Sequence, residues 1–165
     1  MIYDNFNSFP RAGRIIGIDW GTKRIGIAIS DPDQKFVFPR PTLFFTKSVL
    51  SFRRKPEQGL KPESAIIQDI LEIIKDENIK SIIIGLPLYL DGTESETTSH
   101  VRKFASALTM EANLPIFLFD ESLTSFAAEQ ENIAGSHKKT KNLDSIAAKI
   151  LLENALAHIS RVHYD

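Results

Sequence analysis

The 165-residue chain has no cysteine. That absence excludes a disulfide framework, a thiolate zinc site and a thiol nucleophile. Net charge is nearly absent too, since 20 Lys and Arg stand against 21 Asp and Glu. A histone-like mass binder of nucleic acid is thereby excluded, while a local basic patch beside an acidic site stays compatible with a nucleic-acid partner. No uninterrupted apolar run approaches the roughly 18–20 residues that cross a bilayer. The opening residues, MIYDNFNSFPRAGR, put acidic and polar groups where a signal peptide needs an apolar stretch. The expected location is a reducing cytoplasm. What remains is ordinary: 42% hydrophobic and 25% charged residues fit one globular domain. The length is too short for a two-domain enzyme that closes over a nucleotide.

The pattern along the chain predicts an α/β fold. Residues 1–13 are polar, punctuated by Gly and Pro, and read as an irregular lead-in to a single domain over 14–165. Residues 14–18 and 25–29 are short runs rich in isoleucine on either side of a Gly-Thr-Lys turn, which predicts a hairpin. Residues 41–46 predict a third strand. A loop signature with Arg53, Arg54, Lys55 and two prolines fills residues 47–62. Ile66, Ile67, Ile70, Leu71 and Ile74 share one face at helical spacing over 63–77. Residues 81–85 and 115–119 are apolar runs without alternation, as in strands buried on both faces. Helices are expected where Val101, Phe104, Ala105 and Leu108 recur, at about 124–133, and from 143 onward. The order β-β-β-α-β-α-β-α-α implies a five-stranded mixed sheet with the strand at 14–18 in its centre and helices on both faces.

In such sheets, sites form beyond the carboxyl ends of strands. Asp19 directly follows the first buried run, in Gly17-Ile-Asp-Trp-Gly-Thr22. Alone it serves equally well as a turn Asp before Gly21. Asp120 and Glu121 end the run at 115–119, and one of them is as readily a helix cap. Asp144 opens the last helix, where an acid also suits the helix dipole. Together, however, these acids come from two strand ends and one helix start. Clustered carboxylates raise one another's pKa unless a cation lies between them. An oxygen-only donor set suits Mg²⁺ or Mn²⁺. Two such ions lower the pKa of a bound water and clamp the attacking and leaving oxygens of a phosphodiester displacement. The basic residues His137, Lys138, Lys139 and Lys141 just before Asp144 read as phosphate contacts, against the plainer reading of a solvated surface. Thr22 and Lys23 offer further phosphate donors. Trp20, Phe36, Phe38, Phe44 and Phe45 are candidates for base stacking, with core packing the alternative. His100, His158 and His163 have no nucleophile–base arrangement and receive no role.

Four segments resemble motifs of one family. Residues 14–32 (RIIGIDWGTKRIGIAISDP) are similar to the opening motif of the YqgF family of pre-16S rRNA nucleases, also called Holliday-junction-resolvase-like proteins. Ile84-Gly-Leu-Pro-Leu88 with Asp91-Gly-Thr93, Phe119-Asp-Glu-Ser-Leu-Thr124 and Asp144-Ser-Ile-Ala-Ala148 resemble its later motifs in order. The resemblance implies an RNase H-like fold and a Mg²⁺- or Mn²⁺-dependent nuclease, endo- or exonucleolytic, with the family acids at Asp19, Glu121 and Asp144. It also implies processing of the 5′ end of pre-16S rRNA in ribosome maturation, with precursor rRNA, or alternatively branched DNA, as partner. Departures from the family are Ser122 in place of an Arg, Trp20 in place of a Tyr-like aromatic, and an insertion at 47–62. Ala147 stands where related junction resolvases carry a second acid. Three rivals remain at the level of sequence: an actin-like or sugar-kinase-like ATPase, a non-catalytic RNA-binding assembly factor, and a Holliday-junction resolvase. Mg²⁺-dependent nucleotide binding separates the first, RNA affinity after substitution of the acids the second, and substrate choice the third.

Overall fold

The computed structural model describes residues 1–44, 62–121 and 143–162. The described strands are β1 (Ile2–Tyr3), β2 (Arg14–Trp20), β3 (Arg24–Ser30), β4 (Val37–Phe44), β5 (Ile79–Leu86) and β6 (Ile116–Asp120). The described helices are α1 (Pro62–Asp76), α2 (Glu96–Ala112) and α3 (Leu143–Val162). The sheet order is β1-β6-β5-β2-β3-β4. The β2–β3 and β3–β4 pairs are antiparallel, whereas β2–β5, β5–β6 and β1–β6 are parallel. The mixed α/β architecture and the central place of β2 are those expected.

Three details differ from expectation. The sheet has six strands, not five, because Ile2 and Tyr3 pair with Ile116 and Phe117. A two-residue strand is too short to leave a period in the sequence. The same amino-terminal segment buries Phe6 and Phe9, which pack on Phe117 with ring centroids 5.5 and 4.8 Å away. The strand expected at 41–46 begins earlier, at Val37. Pro39 and Pro41 hide it from a propensity reading, and they are tolerated because β4 is an edge strand. The helix expected at 124–133 and the basic loop at 135–141 lie outside the described residues.

Each central strand sends alternate side chains to two cores. On one face, Ile16, Ile18, Ile27, Ile82, Ile84 and Leu118 meet Ile66 and Ile70 of α1 and Val101, Phe104 and Leu108 of α2. On the other, Ile15, Ala28, Ile83, Phe117 and Phe119 meet Ala148, Leu151, Leu152 and Ala155 of α3. Each fully buried isoleucine contributes about 1.5–3 kcal/mol of burial free energy, so these two layers hold the sheet between its helices. Helix α2 starts at a Ser95–Thr98 capping box and stops at Asn113, whose φ of 48° is left-handed. Small residues bring α3 close to the sheet: a Cβ on Gly17 would stand 2.8 Å from Leu152 Cβ.

Candidate active site

Register places the acids. Asp19 lies opposite Gly26 on β3, and one step beyond the Ile18–Ile84 pair its other neighbour is Gly85 on β5. Gly85 in turn pairs with Phe119 of β6. The row across the sheet on the α3 face is therefore Gly26, Asp19, Gly85, Phe119. Both neighbours of Asp19 lack a side chain, and other groups fill the space. A Cβ on Gly26 would overlap the backbone carbonyl of Asp144, so the first turn of α3 rests directly on β3. A Cβ on Gly85 would overlap Glu121 Oε1, so the Glu121 carboxylate leans from the end of β6 over β5 towards Asp19.

The first turn of α3 is pinned further. Buried Ser145 donates from its Oγ to the Arg40 carbonyl at 2.7 Å and lies 3.0 Å from Thr42 Oγ1. Arg24, at the start of β3, pairs with Asp144 through Nε–Oδ2 at 3.0 Å. That cation faces solvent more than the acid does, with side-chain exposures of 44% and 22%.

Electrostatics report the crowding. Burial, then the charge of Asp144, pushes the Asp19 carboxyl up to about 6. Burial, then Asp19 and Asp120, pushes Glu121 up to about 7. Desolvation and like charge act in the same sense on both. Among the described residues no three His, Cys, Asp or Glu side chains stand together as a ready metal cage. The arrangement is an adjacent Asp19–Glu121 pair, with Asp144 beside Asp19 and held by Arg24.

The other candidate residues fall in several places. Thr22 and Lys23 are exposed on the β2–β3 turn, which Gly21 N–H closes by donating to the Arg24 carbonyl at 3.0 Å. Trp20 points away from the acids, and its ring stacks on His100 with centroids 5.9 Å apart. Phe36, Phe38 and Phe44 are exposed on β4 and the turn before it. Lys138, Lys139, Lys141, His137, Phe45, Ser122 and Arg53 to Lys55 lie outside the described residues. Sequence reasoning missed Gly26, Gly85, Arg24 and Ser145. A glycine inside a strand marks close approach of another group, and that signal was present for both glycines.

The family model described as "RuvX: Holliday junction resolvase" matches residues 13–158. A protein of Maridesulfovibrio salexigens named "Putative pre-16S rRNA nuclease" is 46% identical over 147 residues, covering 87% of this chain and 98% of its own. One of the same name from Orientia tsutsugamushi is 40% identical over 163 residues, covering 94% of each chain. Among solved structures, Thermus thermophilus RuvC in complex with a Holliday junction substrate superimposes with a TM-score of 0.53 at 14% identity, covering 88% of this chain and 94% of that one. That likeness shows the expected RNase H-like fold.

Proposed function

The chain belongs to the RuvX family of Holliday junction resolvases, and on that premise we propose that it is a divalent-cation-dependent nuclease using Asp19, Glu121 and Asp144 to cut a phosphodiester. One observation carries the reading: Asp19 stands between two glycines whose vacant positions are filled by the Glu121 carboxylate and the Asp144 backbone. A fold that clears both flanks of one acid to admit two others keeps negative charge together against its own repulsion. The donor set fits Mg²⁺ or Mn²⁺, being all oxygen and crowded with like charge. Asp19 and Glu121 would hold the ion, and Asp144 would join them by exchanging Arg24 for it. When bound, such an ion supplies a low-pKa water and offsets charge on the phosphate.

The chain's own residues do the rest. Without a cation, Glu121 keeps a share of its proton near neutrality, and Asp19 takes one up only as the pH falls towards 6. Arg24, paired with Asp144 and exposed, would present its planar guanidinium to the phosphodiester oxygens. Thr22 and Lys23 stand on the adjoining turn as further phosphate donors. Lys138, Lys139 and Lys141 are proposed for the same task from their position in the sequence before Asp144. Near relatives bear the name of a nuclease acting on pre-16S rRNA, and we assign precursor rRNA as the substrate in the cytoplasm. The family description favours a branched DNA junction as the second reading.

The test offers purified protein a precursor rRNA fragment and a four-way DNA junction, each with Mg²⁺, Mn²⁺ or EDTA. Cation-dependent cutting of the rRNA fragment supports the first reading, and cutting of the junction alone supports the second. Cleavage that persists undiminished in EDTA contradicts the cation-dependent mechanism for either.

A further inference from the structure

A cavity of about 430 Å³ opens beside the acidic site, where the amino-terminal segment meets the carboxyl ends of β5 and β6. It adjoins the site at the strand ends: Asp120 on its wall precedes Glu121 and acts on its carboxyl, while Leu86 and Leu118 belong to the α1–α2 face of the sheet. Its floor is apolar: Leu86, Leu118, Phe6 and Phe119. His158 of α3 stands over two of these rings edge-on, with centroids 6.2 Å from Phe6 and 6.0 Å from Phe119. Its rim is polar, with the carboxamides of Asn5 and Asn7 and the carboxylates of Asp4 and Asp120.

Charge decides what such a cavity takes. Among the described residues the arginine lining it, Arg102, is already engaged by two acids, at 2.7 Å to Glu94 and 3.4 Å to Asp4. The described lining offers a phosphate one cation, already shared between two acids, and places the acid Asp120 close by, so it favours a neutral ligand over an anion. A flat, uncharged ring with N–H donors meets the reverse: rings and leucines to lie on, and carboxylate and amide oxygens to accept from. The volume lies in the range of small-ligand sites, about 300–1,000 Å³.

We infer that this cavity receives one unstacked nucleobase of the substrate strand, next to the scissile phosphodiester, and selects a base carrying an exocyclic amino group. The inference rests on the reading that the neighbouring acids act on nucleic acid. It gives the amino-terminal segment a purpose besides packing: Asn5 and Asn7 belong to that segment, and Asn7 N–H donates to Asn5 Oδ1 at 3.2 Å, which fixes the local turn.

The experiment walks an abasic nucleotide, then a uracil, along a single-stranded oligoribonucleotide of precursor sequence and measures both binding and cutting by the full chain. For the wild-type protein, affinity should fall on the order of tenfold at one position near the cut, and uracil should also weaken binding there. Asn5→Ala with Asn7→Ala should lose most of this discrimination. Asn7→Trp, at an exposed position, should block the cavity and make intact and abasic strands bind alike. Cutting with a flat abasic profile overturns the pocket and leaves the nuclease reading standing. A position-dependent profile without any cutting overturns the nuclease reading and leaves the pocket. Discrimination that survives in both variants also overturns the pocket.

Discussion

The carboxylate of Glu121 occupies the space that a side chain on Gly85 would fill. Gly85 lies on β5 and Glu121 directly follows the neighbouring parallel strand β6, and Gly85 is also the lateral neighbour of Asp19, so the missing Cβ is what lets the two acids approach. Gly85→Ala should drive the carboxylate away from Asp19. A misplacement of about 1 Å in catalytic geometry costs on the order of 100-fold in rate, and cleavage should fall by at least that. Because the displaced group is the end of a side chain, the fold should survive, with a loss of about 1–3 kcal/mol read from urea denaturation. An unchanged rate would detach Glu121's position from the chemistry.

Gly26 makes the contrasting case. A methyl there meets the backbone carbonyl of Asp144 and, at 3.2 Å, Ala148 Cβ. Neither can rotate aside, so the whole first turn of α3 must lift. Gly26→Ala should therefore destabilise more than Gly85→Ala, at the upper end of the roughly 1–3 kcal/mol typical of overpacking. Equal denaturation midpoints for the two variants would contradict this account of how α3 docks.

The raised carboxyls predict an inverted pH dependence of stability for the metal-free protein. With pKa values near 6 for Asp19 and 7 for Glu121, the folded chain keeps protons that the unfolded chain has already released. Stability from these groups is lowest above pH 7 and rises as pH falls through 7 and 6 towards the ordinary carboxylate range. Asp31 and Asp91, held low by hydrogen bonds from Phe36 N–H and the Thr93 hydroxyl respectively, act in the opposite sense only at more acidic pH. Asp19→Asn removes one acid and relieves Glu121, so it should flatten the rise between pH 8 and pH 5 in EDTA. Parallel curves for wild type and variant would show that these acids are not coupled.

The amino-terminal segment should matter to the fold more than its composition suggests. Phe6→Ala removes a ring stacked on Phe117 and close to Phe9 and Phe119, with an expected cost of about 3–5 kcal/mol. A thermal midpoint within a degree or two of wild type would refute this.

How much of this was legible in the sequence varied with the length of the signal. The isoleucine runs of β2, β3 and β5 and the helical spacing of Ile66, Ile67 and Ile70 gave their elements to within a few residues, because burial on one or two faces imposes a period. Ile2–Tyr3 was too short to have one, and Pro39 and Pro41 masked β4. The three acids were legible because each directly followed an apolar run or opened a helix. Their clustering was expected as well, but not the glycine gaps that permit it. The contacts that Gly26 and Gly85 permit depend on which strands lie side by side, and cross-strand register is not written in any one segment. Arg24 gave no signal beyond being one basic residue of a turn.

Single-turnover cleavage of a precursor rRNA fragment by wild type and Asp19→Asn, in Mg²⁺ and at matched folding stability, tests the central claim most directly. The amide keeps the size of the acid and removes its charge at the centre of the row, so the variant should bind RNA but lose cleavage by at least about 1,000-fold, a contribution of roughly 4 kcal/mol to the barrier. An Asp19→Asn protein that cuts at the wild-type rate would contradict the claim.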